Sequence, residues 1–317
     1  MKHILVTGAC GQIGSELIPH LAKDFGRQNI FSTDIKKPPR EVRDNSVFMY
    51  LNVMDKHSLA AAVVDHDIDT IFHMAAVLSA RGEQDPQMAY EVNMEGLVNV
   101  LEVARRKEVN LVVTPSSIAA FGPDAPKEKT PDDTPLNPTT MYGVTKVAGE
   151  KLLQYYHHKY GLDTRSLRYP GIISSETAPG GGTTDFAVDL YVHAVRNQPY
   201  TCFVDPDTPL PFMYMPDAIQ AIIQLAKAEP DSLSRRVYNV TAMRLTPAEI
   251  VNDIHRLVPE LRVDYAPDYR QQIADSWPHS IDDGAARADW GWNPDYDLSR
   301  MTETMLKRLR DRFRSER

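Results

Sequence analysis

The stretch His3-Ile4-Leu5-Val6-Thr7-Gly8-Ala9-Cys10-Gly11-Gln12-Ile13-Gly14 decides the fold. Its opening residues form a short apolar run that reads as a buried strand, and a helical pattern follows from Gln12 to Lys23. Three glycines fill the turn between them. A strand that turns straight into a helix aims the helix's first backbone amides past the strand end, where they favour a phosphate. Side-chain bulk would hold that phosphate away, so such a turn tolerates little but glycine. The spacing is Gly-x-x-Gly-x-x-Gly rather than Gly-x-Gly-x-x-Gly, yet the strand–turn–helix context matches a dinucleotide grip. Gly8, Gly11, Gln12, Ile13 and Gly14 are therefore candidate cofactor contacts.

Working outward, Asn29-Ile30-Phe31-Ser32-Thr33 reads as a second strand ending at Asp34, twenty residues past Gly14. A carboxylate there accepts from both adenosine ribose hydroxyls and repels a 2′-phosphate, which favours NAD over NADP. Lys36 and Lys37 lie close enough to weaken that preference. A third strand covers Val47-Phe48-Met49-Tyr50-Leu51. Leu51 and Asn52, at its end, are candidate adenine contacts, with an ordinary loop as the alternative. Further strands are expected at 70–74, 111–114 and 163–168. Helical patterns run through Ala60–Val64, from about Pro86 to Arg106, and from about Thr140 to Tyr160 with Gly161 as C-cap.

Apolar strands alternating with helices predict an α/β fold, a doubly wound Rossmann-type parallel sheet covered on both faces. Five prolines among charges make residues 123–138 a loop. After Tyr169-Pro170 the chain turns rich in Gly, Pro and Thr, with shorter elements. The expectation is a dinucleotide-binding domain over 1–169 and a smaller α+β lobe, mainly for substrate, over 170–317. Some segments, notably the apolar helix around Ala218 to Leu225, return to the main sheet. The basic tail from Lys307 to Arg317 reads as a frayed, solvated helix.

Composition narrows the partners. With 42% hydrophobic residues among 317 and a formal net charge of −8, the chain suits a globular fold and not nucleic acid or an anionic membrane. No apolar run approaches the ~20 residues that span a bilayer. A strand beginning immediately after Met1-Lys2-His3 leaves no room for a leader, so a cytoplasmic location is expected, with a processed organellar form as the alternative. Cys10 and Cys202 give neither a disulfide framework nor a zinc spacing. His157 and His158 are adjacent on a helix and diverge, so no metal is expected.

Tyr142 and Lys146 stand four apart in Met141-Tyr142-Gly143-Val144-Thr145-Lys146. On a helix they share a face, so the ammonium is expected near the phenol oxygen, where a cation favours the phenolate. A base of that kind, beside a dinucleotide, is what oxidation of an alcohol requires.

The glycine turn, Asp34, His73-Met74-Ala75-Ala76, Asn93, Pro115-Ser116-Ser117, Tyr142-x-x-x-Lys146 and Arg168-Tyr169-Pro170 together resemble the extended short-chain dehydrogenase/reductase family, which includes the sugar-nucleotide epimerases. The resemblance covers most of the chain; Phe121-Gly122 stands where Tyr-Gly is more usual. It implies Ser117 as the hydroxyl that polarises the substrate oxygen, Tyr142 as acid/base, and Lys146 as ribose anchor lowering the tyrosine pKa. It also implies cofactor contacts at His73, Ala75, Ala76, Asn93, Tyr169, Pro170 and Ile172. His73, at the end of an apolar strand, reads as a hydrogen-bonded structural histidine rather than a catalytic one.

Leu167 to Ser174, Pro179 to Asp185 and Ala274-Asp275-Ser276-Trp277-Pro278 are similar to the metal-independent branch of that family that oxidises the secondary alcohol of L-threonine. That implies a small amino-acid substrate, NAD as cofactor and a homodimer built on the long helices. A glycine- and threonine-rich loop offers amides and hydroxyls to a carboxylate. Ser79, Gly181, Thr183 and Thr184 are candidate substrate contacts with Ser117 and Tyr142. Trp277 reads as a pocket cap or as core, and Asp185 as partner to the ammonium or as a helix N-cap. A sugar-nucleotide 4-epimerase remains the alternative, with Arg235 and Arg236 as the arginines a diphosphate would need.

Overall fold

The computed structural model describes residues 1–177, 180 and 182–315. Twelve strands are described: β1 (Ile4–Thr7), β2 (Ile30–Asp34), β3 (Val47–Tyr50), β4 (Thr70–His73), β5 (Leu111–Ser117), β6 (Asp163–Tyr169), β7 (Gly171–Ile173), β8 (Tyr200–Cys202), β9 (Leu210–Tyr214), β10 (Val237–Asn239), β11 (Met243–Leu245) and β12 (Val263–Tyr265). Seven form one parallel sheet in the order β10-β6-β5-β4-β1-β2-β3. β1 pairs with β2 on one side and β4 on the other, so the strand order reverses beside β1. A crevice opens beyond the strand ends at such a reversal.

Every residue of β1 is buried, because both faces of the sheet are covered. Ile4 and Val6 pack with Leu17, Ile18 and Ile222 on one side, whereas Leu5 packs with Leu59, Leu101 and Leu153 on the other. Alternation along one strand thus feeds two cores, each such side chain contributing roughly 1.5–3 kcal/mol. A third core, in the second half, gathers Phe186, Tyr191, Phe212, Tyr214, Ile250 and Met305. It supports a mixed sheet β11-β9-β7 and a parallel pair β12-β8. Chain segments cross between the lobes: β10 lies beside β6, and the helix Met215–Lys227 packs Ala218 and Ile222 into the first core. No described helix is long and apolar enough to cross a membrane.

Two expectations change. The helix expected over 86–106 is interrupted: Pro86–Tyr90 and Gly96–Arg106 are α-helical, but Glu91–Glu95 widens to a π-turn. As far as Ser315 the C-terminal tail is a packed helix rather than a frayed one, and Glu316 and Arg317 lie outside the described residues. The helix Leu298–Ser315 buries Met301, Met305, Leu306 and Leu309 at helical spacing, and Arg312 donates to the carbonyl of Glu176 at 2.9 Å. An apolar stripe beneath the charges keeps it folded.

Candidate active site

The glycine turn wraps the end of β1. Gly8 adopts a left-handed φ of +66°, and a Cβ there would lie 2.4 Å from the Ala75 amide nitrogen. A Cβ on Gly14 would sit 2.4 Å from the Gly8 carbonyl oxygen, which also accepts the Gly11 amide at 3.0 Å. The helix Gln12–Phe25 starts without a side-chain cap on its first amides. A bare helix start behind a cradle that any side chain would fill suits a pyrophosphate.

Asp34 ends β2, as expected, and braces the turn as well. Its carboxylate accepts the Cys10 amide at 2.9 Å and the Lys36 amide at 2.9 Å. Burial and the Asp34 charge push the Cys10 thiol up to about 12, which leaves it a poor nucleophile. Leu51 packs into the core and donates its amide to the Asp34 carbonyl, while exposed Asn52 accepts the Met54 amide through its side chain. His73 is buried, with Nδ1 2.7 Å from the Thr7 hydroxyl, and burial holds its imidazole down at about 3. It is neutral and structural at any working pH.

A cleft of about 790 Å³ opens where β1, β4 and β5 end. Among its lining residues are Gln12, Ile13, Ala76, Ser117, Tyr142, Lys146, Tyr169, Pro170 and Ile172. His73, Ala75 and Asn93 line an adjoining pocket that shares Lys146 with the cleft. In the π-turn, Asn93 donates to the Val77 carbonyl and to the Thr145 hydroxyl, and accepts the Val77 amide at 2.7 Å. It therefore fastens the strand end to the helix that carries the Tyr–Lys pair. π-turns often occur at functional positions.

Thr140 caps the helix Met141–Tyr160 by accepting the Gly143 amide. This start fixes Tyr142 in its first turn, where it lines the cleft together with Ser117 at the end of β5. Lys146 Nζ donates to the Pro115 carbonyl at 2.7 Å and lies over the Tyr142 ring, 5.3 Å from its centroid. Burial therefore dominates, raising the Tyr142 phenol to about 12, opposed by the Ser117 hydrogen bond. Burial also lowers the Lys146 ammonium to about 8, while the charge of Glu150 opposes that fall.

The expected substrate contacts surround the same cleft. The Ser79 hydroxyl lies 3.3 Å from that of Thr183, bridging the two lobes. Thr184, Asp185 and Trp277 line the wall. Gly181 lies outside the described residues. Asp185 occupies the N-cap position of the helix Phe186–Arg196, but its side chain does not cap it and instead accepts the Gly182 amide at 2.7 Å. Trp277 is nearly buried in the second-half core and also lines the cleft. Lys127 holds its carbonyl at 3.1 Å. The sequence reading passed over Met74, Leu78, Ile118 and Gly171, which also line the cleft. They carry no chemistry of their own, and only their position just beyond strand ends could have marked them. Arg235 and Arg236 do not line it, being paired with Asp133 at 3.0 Å and Asp163 at 3.1 Å. Among the described residues no cluster suited to a metal occurs.

The model of the NAD dependent epimerase/dehydratase family matches residues 4–241. The chain is 46% identical to the mitochondrial L-threonine 3-dehydrogenase of Bos taurus, over 96% of this chain and 82% of that one. The solved structure of a GalE-like L-threonine dehydrogenase from Cupriavidus necator, in its holo form, superposes with a TM-score of 0.94 at 50% identity, over 97% of this chain and 99% of that one. The UDP-glucose 4-epimerase of Thermotoga maritima superposes at 0.87 with 20% identity, over 98% of this chain and 99% of that one, a likeness of fold alone.

Proposed function

Because the chain belongs to the NAD-dependent epimerase/dehydratase family, we propose that it oxidises L-threonine to 2-amino-3-oxobutyrate with NAD. The observation that carries this reading is a single cleft lined by the Ser117–Tyr142 pair and, across from it, by Ser79, Thr183 and Thr184. When bound, the oxidised nicotinamide would supply the hydride acceptor. The Tyr142 oxygen, as phenolate, takes the β-hydroxyl proton, and Ser117 donates to the developing alkoxide. Lys146 holds a ribose hydroxyl from its seat on the Pro115 carbonyl.

The hydroxyls of Ser79, Thr183 and Thr184 receive the substrate carboxylate, and Asp185 faces the ammonium. Trp277 closes the wall and keeps water from the transferred hydride. The Asp34 carboxylate selects NAD, since a 2′-phosphate beside it would meet like charge. Exposed Tyr90, Val144, Tyr155 and Tyr160 lie on the Pro86–Tyr90 and Met141–Tyr160 helices, and this face pairs with a second copy. Among the described residues no arginine lines the cleft, and both candidate arginines for a sugar nucleotide's diphosphate are engaged elsewhere.

Purified protein with NAD tests the reading. L-threonine should yield one NADH per 2-amino-3-oxobutyrate, and UDP-galactose should be returned unchanged. Isomerised sugar without net NADH would replace the reading with an epimerase.

A further inference from the structure

Behind Lys146 lies a buried ion pair that the reaction as described does not use. Tyr142, Lys146 and Glu150 stand four apart on one helix, and Glu150 is 2% exposed. Its Oε1 accepts Arg168 Nε at 2.8 Å and the Ser116 hydroxyl at 2.5 Å, and its Oε2 accepts Arg168 Nη2 at 2.8 Å. Arg168 is buried too and donates onward to the Asp132 carbonyl at 2.7 Å. A buried pair is a poor source of stability compared with apolar packing, so its presence here calls for another reason.

The reason lies in what Ser116 joins. On one side is Pro115, whose carbonyl seats the Lys146 ammonium; on the other is Ser117, which lines the cleft together with Tyr142. We propose that Glu150 is a positioning residue that pins the end of β5 through Ser116, setting both halves of the proton-transfer pair, with its carboxylate one helical turn beyond Lys146. It acts through Ser116 and Lys146. The inference deepens the threonine reading and rests on it for the choice of reaction.

The charged and titratable groups that line this pocket with Lys146 are Glu150 on the same helix and His73 on β4; Arg168 lies behind Glu150 on β6, and Tyr142 stands one turn before Lys146 on the side of the cleft. The neighbouring parts of β5 and the π-turn bring only neutral groups, among them Thr114 and Asn93. His73 is neutral, so Glu150 is the nearby anion. Removing it leaves desolvation unopposed at Lys146, and the ammonium must lose its proton at lower pH.

The test uses the full chain with two substitutions. Labelling of Lys146 by an amine-acylating reagent across pH, read by peptide mass spectrometry, needs neither cofactor nor substrate. With Glu150→Gln the pH of half-labelling should fall by about one unit or more. Ser116→Ala keeps the ion pair and cuts only its link to β5. It should leave the labelling curve in place, lower kcat about tenfold and shift the threonine KM less than about twofold. An unshifted Lys146 curve in Glu150→Gln would overturn the proposal, as would a parental kcat in Ser116→Ala. A role in stability alone would lower Tm and move neither readout. If Glu150→Gln fails to fold, Ser116→Ala decides. A parent enzyme that makes no NADH from threonine defeats the choice of reaction, whereas the labelling result still judges Glu150.

Discussion

At the scale of single residues, burial sets the chemistry. The Tyr142–Lys146 spacing was legible because four residues make one helical turn. The seat of the ammonium was not, since it depends on a carbonyl thirty-one residues away in sequence. With the phenol raised to about 12, its basic form grows as pH rises through the working range. Turnover should climb with pH and level near 8, where Lys146 loses its proton. Tyr142→Phe should lower kcat by about two to four orders of magnitude and lose the climb; steady-state rates across pH check both. Asp34→Ser should cut the preference for NAD over NADP by about tenfold or more, measured as the ratio of kcat/KM for the two cofactors, because the like charge is gone.

At the scale of elements, strands and turns were readable where local pattern dominates. β1, the glycine turn and the following helix are written in consecutive residues. The short strands β7, β9 and β11 are not, since their partners lie tens of residues apart and each is only three to five residues long. The π-turn at Glu91–Glu95 was hidden for a similar reason: Asn93 is drawn by Val77 and Thr145, neither of them a helix neighbour. The cradle makes a prediction of its own. Gly14→Ala forces a Cβ against the Gly8 carbonyl, so the turn must shift. It should cost about 1–3 kcal/mol of stability, seen as a lower Tm, and weaken NAD binding in calorimetry more than it slows bound turnover.

At the scale of the whole molecule, the sheet class was legible and the cross-links between lobes were not. Glu16, in the helix after the glycine turn, accepts the Ser174 and Thr177 hydroxyls, and the C-terminal helix holds Glu176 through Arg308 and Arg312. Read alone, those arginines suggested only a solvated tail, because the stripe beneath them finds its partners in a distant core. Burial raises the Glu16 carboxyl to about 7. Its folded pKa thus exceeds the unfolded one, so the folded state loses stability as pH rises from about 4.5 to 7. Glu16→Gln should gain Tm over the parent above about pH 7 and lose that gain below about pH 5, in thermal unfolding at several pH values. The central claim concerns which bond is broken in the cleft between these lobes. L-threonine carrying deuterium at its β-carbon, incubated with NAD and the purified chain, tests it most directly by mass spectrometry of the NADH formed. The account predicts one deuterium on the nicotinamide for each 2-amino-3-oxobutyrate made; NADH without deuterium, or no NADH despite bound NAD, would contradict it.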